Sequence, residues 1–169
     1  RGLQLRPSMA DTRNVVERFD LDLGLKTLGY ERFRPGQREA IEILLHTRRL
    51  LLVAPTGDGK SLSYQLPAIL FPGTTLVVSP LISLMADQVQ ALEARGVAAT
   101  YLASTLSPGE ARARMARVAE GAYKLVYVAP ERLALDGFQR VLQGLACDLV
   151  VVDEAHCISE WGHDFRHEY

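Results

Sequence analysis

Leu50-Leu-Leu-Val-Ala-Pro-Thr-Gly-Asp-Gly-Lys-Ser-Leu-Ser-Tyr-Gln65 is the stretch whose reading decides the fold. It opens on a short aliphatic run, turns through two glycines, and enters a segment with helical spacing that runs from Ser61 to Leu70. Strand, glycine-rich loop and helix in that order are the context of a phosphate-binding loop. Gly57 and Gly59 let the backbone curl until successive N–H groups face inward as an anion nest. The helix that follows points its positive end at the same place. Lys60 supplies a mobile positive charge for β- and γ-phosphates, and the Ser61 hydroxyl can hold Mg²⁺. The nucleotide-binding set is therefore Thr56, Gly57, Asp58, Gly59, Lys60 and Ser61. Two residues are unusual here. Ala54 stands at the first position, where the general pattern has Gly. Asp58 puts a carboxylate inside a phosphate cradle, where it repels the ligand unless it points to solvent, as we expect. A glycine-rich turn that binds nothing is the competing reading, and the Lys-Ser pair in this strand–helix context argues against it.

Working outward, aliphatic runs recur at Thr75–Ser79, Ala98–Leu102, Lys124–Ala129 and Asp148–Asp153. Short, near-continuous apolar runs are the pattern of strands buried on both faces. Helical spacing fills the intervals. Pro35–Leu45 has Pro in its first turn. Ser61–Leu70 contains Pro67, which is expected to bend or end it. Leu81–Arg95 is closed by Gly96, and Pro108–Glu120 by Gly121. Alternating strands and helices imply βαβ crossovers and a doubly wound α/β layer with a parallel sheet. Four strands then end in short junctions: Ala54-Pro-Thr-Gly57, Ser79-Pro-Leu81, Ala129-Pro-Glu131 and Asp153-Glu154. Pro directly after a strand often does no more than terminate it. Four such junctions bearing hydroxyl or charged residues point instead to a shared site on the carboxyl rim, where open parallel sheets bind ligands.

The last junction carries the second piece of chemistry. Asp153 ends a buried strand, so it is fixed and can hold Mg²⁺ through water. Glu154 is placed to orient or deprotonate an attacking water. His156 could link this site to the loop beyond. That loop holds Trp161 and Phe165 among polar residues, with Arg166 beside them. Two aromatics four apart are core residues in many folds, yet base–aromatic stacking contributes roughly 1–3 kcal/mol per base and suits a polar loop. Cys157, His163 and His167 are of zinc-ligand type, but they share one Gly-containing loop and lack a fourth partner, so no zinc is expected in this chain. Arg112, Arg114 and Arg117 read as a solvated helix face.

Bulk properties narrow the function classes. A chain of 169 residues suits one domain, able to bury roughly two-thirds of its unfolded surface. Its net charge of −1 provides no global basic field, so any nucleic-acid contact must be local. Two cysteines make no disulfide framework and no Cys-x-x-Cys hook, which fits a reducing, intracellular setting. No apolar run approaches the roughly 20 residues of a membrane span, so no membrane partner is expected.

Taken together, the motifs resemble the N-terminal part of a RecQ-family DNA helicase of superfamily 2, over about Leu28 to Tyr169. Leu28-Gly-Tyr-Glu-Arg-Phe-Arg-Pro-Gly-Gln37 is similar to the family's motif 0. There the resemblance assigns Tyr30, Arg34 and Gln37 to adenine: ring and guanidinium sandwich the base, and the amide pairs with its edge. Ala54–Ser61 resembles motif I. Val78-Ser-Pro-Leu-Ile-Ser-Leu-Met85 with Asp87 and Gln88 resembles motif Ia, a strand-contacting element that includes Ser79 and Pro80. Tyr127–Leu133 is similar to the next DNA-side motif, and Asp153-Glu-Ala-His156 to motif II. His156–Arg166 resembles the aromatic-rich loop that couples DNA binding to ATP hydrolysis, with His156, Trp161, Phe165 and Arg166 as contacts. Asp58, Ser63, Glu160 and His167 stand where the family usually has Gly, Cys, Gln and Pro.

The resemblance implies a RecA-like P-loop NTPase lobe with helices on both faces of a parallel sheet. It implies ATP and Mg²⁺ as cofactors, and DNA, single-stranded and at duplex junctions, as partner. The implied activity is three-prime to five-prime unwinding in repair and recombination. Residues 1–22 are expected to be an extension, tag or linker, and 23–169 a partial first lobe whose remaining ATP-site half lies elsewhere. Two rivals stay open: a nucleotide-binding module with no DNA partner, and a pseudo-ATPase scaffold.

Overall fold

The computed structural model describes residues 19–55 and 59–157. The chain falls into two compact units, Arg1–Leu70 and Phe71–Tyr169.

The first unit holds helices α1 (Leu21–Thr27), α2 (Gln37–Thr47) and α3 (Leu62–Leu70). Asp20 starts α1 by accepting a hydrogen bond from Leu23 N at 2.9 Å, which satisfies one of the N–H groups a helix start leaves over. Gly24 lets α1 lie close to α3, since a Cβ there would meet Leu66 at 3.4 Å and Leu70 at 3.5 Å. Arg38 on α2 binds Asp22 on α1, reaches Glu42 at 3.6 Å, and stacks 4.8 Å above the Phe33 ring. Pro67 does not end α3, which runs on to Leu70. The lost N–H bond is outweighed by complete burial of Leu66 and Ala68 on either side.

Residues 50–55, expected as a strand over Leu50–Ala54, pair with no strand within the first unit. Leu51 and Val53 are 85% and 89% exposed, with Leu52 between them at 37%. The segment is extended, with side chains alternating as they would on a strand, but a strand exists only by pairing.

In the second unit four parallel strands lie in the order β2-β3-β1-β4: β1 (Thr74–Val78), β2 (Ala99–Leu102), β3 (Leu125–Val128) and β4 (Cys147–Val152). Parallel neighbours cannot be joined by tight turns. The connections are α4 (Ile82–Glu93), α5 (Pro108–Ala119) and α6 (Asp136–Gly144). β1 is buried along its whole length. Leu76, Val78, Leu102, Val126 and Val128 form a cluster with Val118 of α5 and Phe138 of α6. On the opposite sheet face Val77, Leu125 and Tyr127 are buried as well, and α4 runs against β2 and β3. β4 is different: Val150 is 61% exposed and Val152 42%. The architecture is a RecA-like α/β fold. Helix ends follow the glycines, with Gly96 at φ 76° after α4 and Gly121 at φ 70° after α5. At the other end of α5 a capping box joins Ser107 and Glu110.

Where the second unit begins, three side chains pin the backbone. Lys124 Nζ donates to Phe71 O at 2.6 Å and Pro72 O at 3.1 Å. Gly73 N donates to Asp148 Oδ2 at 2.6 Å, and Thr74 Oγ1 to Tyr123 O at 2.8 Å. A Cβ at Gly73 would run into Ala146 O and lie 2.8 Å from the Asp148 carboxylate, whereas one at Gly109 meets nothing within 4 Å. Gly73→Ala is therefore expected to cost about 1–3 kcal/mol. Gly109→Ala, in the first turn of α5, should be neutral or stabilising by up to about 1 kcal/mol. Chemical denaturation of the two variants checks the contrast.

Hydrogen bonds from the Ser107 hydroxyl and backbone N–H hold the Glu110 carboxyl below its ordinary value of 4.5. A lowered folded pKa means this contribution is complete above pH 4.5 and is lost as pH falls through the folded value. Thermal melts from pH 6 down should show Glu110→Gln losing part of the wild type's acid sensitivity.

Candidate nucleotide-binding site

In the first unit the left-handed turn at Gly59 (φ 74°) leads into α3. Leu62 N bonds back to Gly59 O at 3.2 Å and Ser63 N to Lys60 O at 2.9 Å. The Ser63 hydroxyl also donates to Lys60 O, at 2.6 Å, so the carbonyl of the loop lysine is held twice by one residue. Gln65 N bonds to Ser61 O at 2.9 Å, which winds the first full turn. The N–H groups from Leu62 to Gln65 thus all bond within the turn, and it is the positive end of the helix dipole that suits an anion here.

Gly36, left-handed at φ 80°, turns the chain into α2 and brings the Arg34–Gln37 bend up to the loop. Gln37 Oε1 accepts from Arg34 N at 2.8 Å, and Gln37 Nε2 donates to Gly59 O at 3.1 Å. An open cavity of about 540 Å³ lies between these segments. Arg34, Gln37, Gly59, Lys60 and Ser63 provide its polar groups, while Pro35, Ala40 and Leu52 to Pro55 provide an apolar wall. A cavity of this size, largely apolar with a few convergent polar groups, is of the kind that holds small molecules.

The structure thus brings Arg34, Gln37, Gly59 and Lys60 to one cavity. Ser61 stands at the head of α3 without lining it, and neither does Tyr30, which is 38% exposed just after α1. Thr56, Gly57 and Asp58 lie outside the described residues, and so does the expected outward orientation of Asp58. Sequence reasoning missed the wall: Leu52 and Val53 were read as core strand residues, and nothing marks Pro35 or Ala40. Ser63 was noted only as a departure from a family pattern, yet its hydroxyl anchors the loop.

In the second unit a rim forms at the carboxyl ends of the strands. Ala129 N donates to Leu102 O at 3.0 Å, Ser79 N to Val128 O at 3.0 Å and Asp153 N to Val78 O at 2.8 Å. Three expected junctions therefore stand side by side. The fourth, Ala54–Gly57, belongs to the first unit, and its Thr56 and Gly57 lie outside the described residues. Ser79 is buried, and its hydroxyl accepts from Leu81 N at 3.5 Å across Pro80.

Asp153 Oδ1 accepts the N–H of Glu154 at 2.9 Å, which fixes its carboxylate. Glu154 sits at φ 51°, a left-handed conformation that costs a residue with a Cβ about 1–2 kcal/mol. The following 3₁₀ turn, Ala155–Cys157, is closed by Cys157 N on Glu154 O at 2.9 Å. Glu154 keeps a fifth of its side-chain surface exposed, and Oε2 lies 3.3 Å from Nδ1 of the well-exposed His156. Trp161, Phe165 and Arg166, with His163 and His167, lie outside the described residues. Among the described residues no three His, Cys, Asp or Glu side chains gather into a metal cluster.

The sequence matches the family model for DEAD/DEAH box helicases over residues 34–169. It is 56% identical over 142 residues to an ATP-dependent DNA helicase RecQ of Bacillus subtilis, covering 83% of this chain and 24% of that protein. It is 46% identical over 149 residues to an ATP-dependent DNA helicase RecQ of Pasteurella multocida, covering 88% and 24%. With an ATP-dependent DNA helicase Q-like 5 of Arabidopsis thaliana it shares 48% over 142 residues, covering 83% and 16%. The chain spans about a quarter or less of the length of these relatives.

Glu154→Gly should relieve the left-handed backbone and raise stability by up to about 1 kcal/mol, with Glu154→Gln near neutral. Denaturant midpoints of the two variants, measured together, check it.

Proposed function

Since the chain belongs to the DEAD/DEAH box helicase family, with helicases of the RecQ type among its relatives, we propose that it forms the nucleotide-binding part of an ATP-dependent DNA helicase. The parent protein would couple ATP hydrolysis to three-prime to five-prime movement on single-stranded DNA and to duplex unwinding in repair and recombination. One observation carries the reading: the Gly59–Lys60–Ser61 turn heads a helix beside a cavity that Arg34 and Gln37 also line.

Lys60 meets β- and γ-phosphate charge, and the positive end of the α3 dipole adds to it. Arg34 and Gln37 take the base, the guanidinium by stacking and the amide by pairing with its edge. Tyr30 completes this set on the strength of resemblance alone. Ser61 and Asp153 would each offer Mg²⁺ an oxygen donor, and the ion, when bound, would neutralise charge on the transferring phosphoryl group. Glu154, held by its backbone and beside His156, orients or deprotonates the attacking water. Ser79 and Pro80 on the rim, His156, and Trp161, Phe165 and Arg166 beyond it form the DNA side. Stacking on Trp161 and Phe165 would report strand occupancy to the adjacent carboxylates. Among the described residues no helix is long and apolar enough to cross a membrane, and an intracellular setting follows from the DNA substrate. The second reading, a nucleotide-binding module without DNA, shares the cavity and differs only in the rim and loop.

ATP turnover by the full-length protein, with and without single-stranded DNA, separates the two. DNA should raise wild-type turnover, and Trp161→Ala should lose most of that rise. Lys60→Ala should abolish nucleotide binding, whereas Glu154→Gln should keep it and slow turnover by about 10²–10⁴. The 169-residue chain alone should hydrolyse ATP very weakly and unwind nothing. Turnover indifferent to DNA would favour the second reading.

A further inference from the structure

The bend between α1 and α2, residues 29–36, carries the base side of the cavity, and each of its ends belongs to a different helix. At the first end α1 closes on Gly29, left-handed at φ 77°. Gly29 N bonds to Lys26 O at 2.9 Å and Tyr30 N to Leu25 O at 3.1 Å. This crossed pair of bonds fixes the Tyr30 backbone to α1. At the other end Gln37 N bonds to Arg34 O at 3.1 Å as α2 begins. Arg34 and Gln37 line the cavity, and Tyr30 does not. How far Tyr30 stands from them is set by how α1 lies against α2. Arg38, in the first turn of α2, spans that gap. One guanidinium nitrogen binds Asp22 in the first turn of α1, and the other lies 3.6 Å from Glu42, one turn further along α2. The guanidinium carbon lies 4.8 Å from the centre of the Phe33 ring, and Phe33 immediately precedes Arg34. A planar fork can bind a carboxylate at its edge and an aromatic ring on its face at the same time. The Arg38 and Asp22 side chains keep 41% and 67% of their surface exposed, so the pair contributes modestly to stability. What it does fix is the geometry of the three segments it touches.

We infer that Arg38 is a positioning residue for the base side of the cavity: through Asp22, Glu42 and Phe33 it locks α1 and the bend onto α2, so that Tyr30 and Arg34 are held at the spacing a base needs. The inference rests on the nucleotide reading of the cavity and adds to it a lever outside the cavity wall. Arg38 lines no part of the cavity, so it acts on the base through its neighbours and leaves the phosphates alone. With the clamp released, α1 would still pack on α3 through Gly24, and the unit would stay folded. Tyr30 and Arg34 would then sample a wider range of separations, and binding a base would have to order them first. An exposed ion pair is also screened by salt, so the clamp makes base affinity sensitive to ionic strength from outside the site.

ADP and pyrophosphate, each with Mg²⁺, separate the base side from the phosphate side, and calorimetry on the full-length protein measures both. Arg38→Met keeps an unbranched stem and removes the charge. It should weaken ADP binding about threefold to tenfold, the range of an exposed ion pair and a cation–π contact together, and leave pyrophosphate binding unchanged. Arg38→Lys, with the charge but without the fork, should recover part of the loss. Asp22→Asn removes the same bond from the other side and should weaken ADP binding about twofold. Combined with Arg38→Met it should add nothing further, because the two side chains act as one unit. Melting temperatures should stay close to that of the wild type, and if Arg38→Met melts far lower, Asp22→Asn carries the test alone. ADP affinity unchanged in the single variants would overturn the inference and leave the nucleotide site intact. So would an equal loss for pyrophosphate, or losses that add in the double variant. A wild type that binds neither ADP nor ATP would overturn the nucleotide reading itself.

Discussion

Parallel pairing of β1 with a neighbour on each side is the constraint on which the second unit depends. A parallel pair can be closed only by a long crossover, so each strand must be followed by a helix, and the sheet must be covered. Burial of Thr74 to Val78 over their whole length satisfies that demand. The same constraint places all strand ends of one polarity together. Ser79, Ala129 and Asp153 then meet on one rim through three backbone bonds of 2.8–3.0 Å. The carboxylate pair is positioned by sheet geometry first and by its own hydrogen bonds second.

How much of this could be read in the residues depended on whether the signal was local. Strands β1 to β4 announce themselves as aliphatic runs, and each lies within a residue or so of its expected place. The ends of α4 and α5 were legible because Gly at a helix end acts through its own backbone. Helix α1 was missed since seven residues with Gly24 in the middle carry little periodicity, and its stability comes from Arg38 and from packing on α3. Helix α6 begins Asp136-Gly137 and ends at Gly144, so propensity spoke against it, and burial of Phe138 decided for it. The run at Leu50–Ala54 shows the converse: an apolar run states what a segment can do, and the first unit by itself offers it no strand to pair with.

The candidate site divides along the same line. Lys60, Asp153 and Glu154 follow from motifs that name their own chemistry. The Gln37–Gly59 bond, the wall made by Leu52 and Val53, and the left-handed Glu154 are products of tertiary placement and left no trace in spacing. Ser63 is intermediate. Its identity was visible as a departure from a family pattern, and only the bond to Lys60 O gave that departure a physical meaning. A hydroxyl there fastens the lysine's own carbonyl, which a thiol would do with a longer and weaker bond.

The pinned start of the second unit has a mechanical side. Tension carried along the chain from α3 reaches the sheet at Phe71–Gly73, where Lys124, just before β3, and Asp148 in β4 grip the backbone on the two sides of β1. A load entering there is shared at once with the segments that flank β1 on both sides. The weakest direction is instead across the sheet at β4, whose exposed valines give little lateral grip. Pulled from its amino end, this unit should behave as a stiff body anchored at an interior strand.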